Sequence, residues 1–280
     1  MRAVLYTVFA LVAFAFNSIL CRMALHGGEA DAAGFTLVRI VSGAITLIVI
    51  SYFAGSGKGS QIWERGNWIS AFFLFAYAVC FSFAYLGLTA GTGALILFGS
   101  VQLTMILVSL IRGEQPSAVE WIGLIVAAGG LVYLVFPGLA SPPLVSSLLM
   151  AAAGAAWGGY TLRGRGSSSP LADTTGNFVL AVPIAIVVAI NYWSDVHLSK
   201  QGITLAVLSG AVASGIGYTV WYAALKFHTA TTAAILQLSV PAIVAAAGVW
   251  FLAETATRRL YIAGGLILGG ILLAILGRRK

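Results

Sequence analysis

Apolar runs of about twenty residues follow one another along the whole chain, and nothing else constrains its fold as strongly. At roughly 1.5 Å per helical residue, each run is long enough to cross a hydrocarbon core. The sequence places ten of them near 3–25, 33–53, 67–86, 92–111, 119–136, 144–162, 175–193, 202–224, 230–251 and 259–277. A bilayer interior has no water to satisfy open backbone, so each run must close its own hydrogen bonds as a helix. The expected fold class is all-α integral membrane, with ten transmembrane helices. Composition agrees: 60% apolar and 8% charged residues, with a mean hydropathy of +1.00, leave too little polar surface to cover a soluble domain. The links are short and rich in turn formers (HGGEADAAG, GSGKGSQIWERGN, PGLASPP, RGRGSSSPLAD), so no soluble domain lies between the spans. The first run lacks a convincing small-residue cleavage site and matches the later ones in length, so it reads as a span and not as a signal peptide.

A net charge of +7 would suggest a nucleic-acid partner in a soluble chain, but in this one the distribution matters more than the sum, and no nucleic acid is expected. On the side of the two termini lie Arg2, Lys58, Arg65, Arg112, Arg163, Arg165, Lys226, Arg278, Arg279 and Lys280; on the other lie Arg22, Lys200, Arg258 and Arg259. Ten against four puts both termini in the cytoplasm of a bacterial inner membrane. Trp68, Trp121, Trp193, Trp221 and Trp250 fall near span ends, where indole prefers the interface. Cys21 and Cys80 read as small unpaired side chains in or beside apolar helices.

The chain also repeats itself. At a shift of 140, Glu114 meets Glu254, Ile122 meets Ile262, and Gly129-Gly130 meets Gly269-Gly270. One residue less brings Thr92, Ile96-Leu97 and Ser100-Val101 onto Thr231, Ile235-Leu236 and Ser239-Val240. Two halves of five spans, 1–140 and 141–280, follow. An odd number of spans makes the second half enter the membrane from the opposite side, and inverted halves place a site at their interface near the midplane.

Gly113-Glu114 with Gly123 and Gly129-Gly130, repeated as Ala253-Glu254 with Gly264 and Gly269-Gly270, resembles the EamA repeat of the drug/metabolite transporter superfamily over essentially the whole chain. Arg39, in GFTLVRIVSGA, looks like that family's arginine early in the second span. The proline of the fourth helix of each repeat is present only as Pro241, with Gln102 near the equivalent place in the first half. The segment AFAFNSILCRMAL and the aromatic-rich third and eighth spans are most similar to the aromatic amino acid exporters of this superfamily. That resemblance implies export of aromatic amino acids and of flat aromatic xenobiotics.

Glu29, Asp31, Glu64, Glu114, Glu120, Asp173, Asp195 and Glu254 all map to loops or span ends. Glu114 and Glu254, beside Arg112 or Arg258-Arg259, read as boundary and loop-fixing residues, because a carboxylate there avoids the penalty it meets at the midplane. A proton-driven exporter of cations needs a carboxylate inside the membrane, so the pattern favours a neutral or zwitterionic substrate moving down its own gradient. His26, His197 and His228 lie in or next to loops and make poor midplane relays.

The midplane instead offers amides, hydroxyls and aromatic rings. Asn17, Gln102 and Gln237 can orient a zwitterion without trapping it, or can each bond a neighbouring helix. Tyr77, Phe81 and Tyr85 share one face of the third span and Ser214, Tyr218 and Tyr222 one face of the eighth, while Trp157 and Tyr160 mark the sixth. Of these, Asn17, Tyr77, Gln102, Trp157, Tyr160, Ser214, Tyr218 and Gln237 are the candidate substrate-binding residues; Phe81 reads as helix packing. Arg39 either snorkels to the interface or holds a substrate carboxylate by paired hydrogen bonds. Pro183 and Pro241 sit inside spans and are expected to bend them, and Gly154–Gly158 and Gly265–Gly269 have the spacing of close helix approach.

The expected function is export of aromatic and other largely apolar amino acids by alternating access, as a facilitator with a small-molecule substrate, a lipid bilayer around it, and no metal or cofactor. The alternative keeps the fold and exports drugs or another small metabolite; a channel is disfavoured by the repeat and the polar midplane. An enzyme is not expected: there is no HExxH, no P-loop, no intramembrane Asp pair and no redox Cys pair. Oligomeric state is left open.

Overall fold

The computed structural model describes residues 2–54, 65–111, 117–136, 141–164, 167–192, 196–228, 233 and 236–277. These form α1 (Arg2–His26), α2 (Ala32–Phe53), α3 (Trp68–Ala84), α4 (Ala90–Ile111), α5 (Ala118–Val135), α6 (Leu144–Gly164), α7 (Pro170–Asn191), α8 (Lys200–Leu225), α9 (Ser239–Leu252) and α10 (Arg258–Gly277). Seven of them, α1, α2, α4, α5, α7, α8 and α10, are long and apolar enough to cross a membrane, and α3 and α9 are shorter apolar helices. Side chains such as Phe53 and Trp250, 81% and 86% exposed, face outward where only lipid accommodates them.

Local chemistry sets the boundaries. Asp31, Asn67, Ser117 and Ser199 cap α2, α3, α5 and α8 by accepting backbone N–H bonds from the first turn. Pro170 opens α7 five residues before the expected run at 175, since proline suits a first turn whose N–H groups have no intrahelical partner. Pro241 lies in the first turn of α9, and the expected run at 230–251 is broken by a turn at Leu238, between helical Gln237 and Ser239. Pro183 does lie inside α7. Within α8 the helix widens to a π-helix over Leu208–Ile216, a form that often marks functional positions.

Consecutive helices alternate in direction, which the hydrogen bonds at each face make plain. At the face carrying Arg2 and Gly277, called here the terminal face, Thr7 meets His228 at 2.7 Å, Ser117 donates to the Gly277 carbonyl and Arg163 reaches Ser70 and Asn67. At the far face the α1–α2 and α7–α8 links are pinned together: Ala30 bridges Leu198, Ser199 donates to Glu29, and the Asp31 carboxylate accepts from the His197 N–H. The most extensive helix pairs map onto one another when each helix is replaced by the one five places away. α5 packs on α10, α2 on α7 and α4 on α9; α3 on α6 is matched by α8 on α1, α4 on α6 by α9 on α1, and α2 on α8 by α7 on α3.

The far face is closed by an ion pair. Arg22, near the end of α1, donates from Nε to Glu254 at 3.0 Å and from Nη1 to the Tyr85 carbonyl, while the second Glu254 oxygen accepts from the Ala90 N–H at 2.8 Å. Their side chains are 9% and 11% exposed. Glu254 thus acts as a boundary residue, as its position implies, but its partner is Arg22 and not Arg258 or Arg259. Arg259 instead caps α5, donating to the Tyr133 and Phe136 carbonyls. Glu114 lies outside the described residues.

The helices approach most closely through glycine. A Cβ on Gly123 would stand 2.5 Å from the Gly270 carbonyl oxygen and the Ala274 nitrogen, and one on Gly270 would stand 2.6 Å from the Ala127 nitrogen. Gly154 sits likewise 2.6 Å from the Leu97 carbonyl oxygen. The Gly265–Gly269 pair makes no such approach, since an added Cβ at either meets nothing within 4 Å. Its spacing is right, but it is on the outer side of α10.

Two predictions follow from this packing. Gly270→Ala should destabilise the protein by about 1–3 kcal/mol through overpacking, read as a lower midpoint of thermal denaturation in detergent, whereas Gly269→Ala should stay within about 0.5 kcal/mol. Glu254→Gln should cost about 3 kcal/mol by leaving a buried guanidinium unpaired, and the Arg22→Met/Glu254→Gln double variant should recover part of that loss. Strict additivity of the two single changes would refute the buried pair.

Candidate functional site

The centre of the molecule is organised around the Tyr77 hydroxyl. It accepts hydrogen bonds from Asn17 Nδ2 at 3.1 Å and from Arg39 Nη2 at 3.0 Å, while Ser209 Oγ, at the start of the π-helical stretch, donates to Asn17 Oδ1 at 2.6 Å. Glycine within the same stretch lets α8 reach α2: a Cβ on Gly210 would stand 2.1 Å from the Arg39 carbonyl oxygen. Arg39 is 2% exposed, which rules out snorkelling. Its guanidinium lies 5.1 Å from the ring centres of both Tyr77 and Phe81, a cation–π arrangement strengthened by burial. Nη1 has no hydrogen-bond partner.

Above this polar node stands a wall of rings. Trp157 lies 4.9 Å from Tyr77 and 4.9 Å from Tyr218 between centroids, and stacks on Tyr160 at 5.5 Å. Phe14 adds edge contacts to Tyr218 and Trp221 at 5.9 and 5.7 Å. These helices hold the rings in register because α6 bears glycine where it meets α4, and a Cβ on Gly158 would press on Thr104.

Trp157 separates two spaces. On one side is a small void of about 20 Å³, bounded by Asn17, Tyr77, Phe81 and Tyr218, with room for roughly one water. On the other is a cavity of about 530 Å³ that includes Gln102, Gln237, Thr161, Trp221 and Tyr222 and reaches the terminal face at Lys226 and His228. Its size is that of a small-molecule site. A polar side chamber of about 170 Å³ adjoins it at Gly164, Ser167 and Tyr222. There Arg163 is held by Ser70 and Asn67, Asn177 donates to Tyr160, and Arg65 approaches Asp173 at 3.8 Å.

The expected site residues divide among these spaces. Gln102, Trp157 and Gln237 line the large cavity, Asn17, Tyr77 and Tyr218 the small void, and Tyr160 the side chamber. Ser214 is fully buried and lines none of the three. Phe81, read from sequence as packing, lines the void and carries the Arg39 contact. Trp221, expected at the interface, is 8% exposed and lines the cavity. Phe14, Ser209 and Arg22 were not anticipated. For Trp221 a signal exists: it lies at i+3 from Tyr218 on α8, the same helical face.

Comparisons agree with this architecture. The model of the EamA-like transporter family matches residues 144–276. An uncharacterized protein of Pseudomonas aeruginosa is 45% identical over 277 residues, covering 99% of this chain and 96% of its own. A crystal structure of a protein superposes with a TM-score of 0.68 at 18% identity, covering 98% of this chain and 97% of the other, which shows a shared fold. The chain is thus a multi-pass membrane protein whose residues 144–276 form an EamA-like transporter domain.

Proposed function

We propose that the protein exports aromatic and other largely apolar amino acids across a bacterial inner membrane, by alternating access and as a facilitator. The observation that carries this reading is the position of Trp157, a ring shared by a cavity open at the terminal face and by the closed polar centre. A flat apolar side chain entering the cavity meets Trp157, Trp221 and Tyr222, while Gln102 and Gln237 offer uncharged donors and acceptors. Alternating access is supported by the contrast between faces, one closed by Arg22–Glu254 and the other open at the cavity.

In this reading residues 1–140 and 141–280 are two inverted five-helix repeats. The self-mapping packing and the alternation of helix direction support that division, as does a family match confined to 144–276. Both termini are cytoplasmic, a placement supported by the excess of Lys and Arg on their side. The cavity then faces the cytoplasm, from which an exporter loads. Facilitation in place of proton coupling is supported by a cavity lining that includes no carboxylate among the described residues.

The same cavity suits drugs or another small metabolite, so the substrate is decided by competition. Purified protein in proteoliposomes should take up labelled phenylalanine saturably with no imposed proton gradient, and unlabelled tyrosine and tryptophan should compete. Trp157→Ala, shown by its elution profile to be folded, should raise the half-saturating concentration about tenfold, the loss of one or two ring contacts. Uptake that is non-saturable, or that ignores Trp157→Ala, would refute the reading. Uptake that competes with flat drugs and not with amino acids would assign the site to the drug alternative.

A further inference from the structure

Arg39 is a cation in the membrane interior with no anion beside it: among the described residues no carboxylate lies within ion-pair distance of it. Each described acidic group is committed or remote: Glu254 to Arg22, Asp31 to the Gly34 and His197 N–H groups, Glu29 to Ser199, Asp173 to Ser167 and Arg65, while Glu120 sits in the first turn of α5 at the terminal face. What Arg39 has is one phenol oxygen and two ring faces, with Nη1 unbonded. A buried guanidinium in that condition is costly, and an incoming carboxylate would complete it with a charge-assisted bond.

The approach is also positive. Among the described residues, the large cavity reaches Lys226 and His228 without an acidic side chain in its lining, and the side chamber sets Arg65 and Arg163 against Asp173. A cleft of one sign draws the opposite sign and disfavours a cation. Among the described residues, no group near Arg39 offers an ammonium a negative partner.

We infer that the site takes an aromatic carboxylate of net negative charge, with the carboxylate received by Arg39 after the Tyr77–Trp157 contact parts, and that an α-ammonium group adds nothing to its affinity. This deepens the proposed function and rests on its reading of the Trp157 cavity as the substrate path. The predicted preference is therefore for aromatic oxo, hydroxy or simple carboxylic acids at least equal to that for aromatic amino acids.

The test measures binding to purified protein in detergent by calorimetry, above neutral pH, for three probes of similar shape: 3-phenylpropanoate, phenylalanine and phenethylamine. The same compounds are then used as competitors of labelled phenylalanine and, labelled, as substrates in proteoliposomes. The expected result is that 3-phenylpropanoate binds at least as tightly as phenylalanine and phenethylamine at least about tenfold more weakly, the factor that one charge-assisted bond supplies. Arg39→Met should abolish 3-phenylpropanoate binding and leave the weaker binding of phenethylamine unchanged; a merely structural arginine would weaken all three probes alike. If that variant does not fold, the three probes on the unaltered protein decide.

The failures are distinguishable. Phenylalanine binding and transport with no binding of 3-phenylpropanoate overturns this inference and leaves the amino acid exporter standing, as does equal or tighter binding of phenethylamine. Transport of 3-phenylpropanoate without phenylalanine upholds the inference and overturns the amino acid reading. Absence of binding by all three overturns both.

Discussion

A single phenol oxygen ties the middle of this protein together. Through the Tyr77 hydroxyl and the Asn17 amide, α1, α2, α3 and α8 share one chain of hydrogen bonds. In hydrocarbon each of these polar groups would cost several kcal/mol if left alone, so the helices that carry them are held to one arrangement. The apolar packing around them is less specific, because lipid chains compete with it on nearly equal terms. The π-helical stretch of α8, Leu208–Ile216, carries both Ser209, which donates to Asn17, and Gly210, whose backbone lies against Arg39. The sequence LSGAVASGI does not announce that local backbone form.

The two faces of the protein use different chemistry. At the far face a buried ion pair and reciprocal bonds between the α1–α2 and α7–α8 links hold the helix ends shut. Toward the terminal face the helices are held apart, and what lines the gap includes amide, hydroxyl and indole groups, with Lys226 and His228 where it reaches the surface. Charged pairing resists opening because both partners must be solvated separately, whereas ring contacts part for a fraction of that cost each. The aromatic layer is therefore suited to yield to a ligand, and the ion pair to hold until the centre has changed.

Much of the frame was legible because its cause is local. Span lengths follow from the bilayer, and the choice of Trp157 as a candidate from its distance to either span end. What escaped the sequence depends on a partner far along the chain. Arg22 reads as a far-side loop charge until Glu254, which lies 232 positions on, is seen against it. Trp221 reads as an interfacial anchor, since hydropathy gives its depth and not the direction it faces, and here it points to Phe14. Phe81 looks like any packing phenylalanine until Arg39 is placed over its ring. Gly265 and Gly269 have the same spacing as Gly154 and Gly158, and only neighbours decide which pair is used.

The alternating access proposed for this protein would impose an energetic condition on these parts. A carrier must visit both states, so the free energies of its two closures have to match within a few kcal/mol. In the state described here the far face is closed by a pair whose breakage costs about 3–5 kcal/mol if one partner is stranded. Closing the other face and opening the centre would part the Trp157 contacts to Tyr77 and Tyr218, at about 0.5–1.5 kcal/mol each. The sums are comparable only if the freed Arg22 and Glu254 are taken up by water, which opening the far face would supply. A ligand that replaces the ring contacts of Trp157 offsets the remaining difference, and so the residue that separates the two cavities is also where binding energy can be converted into motion.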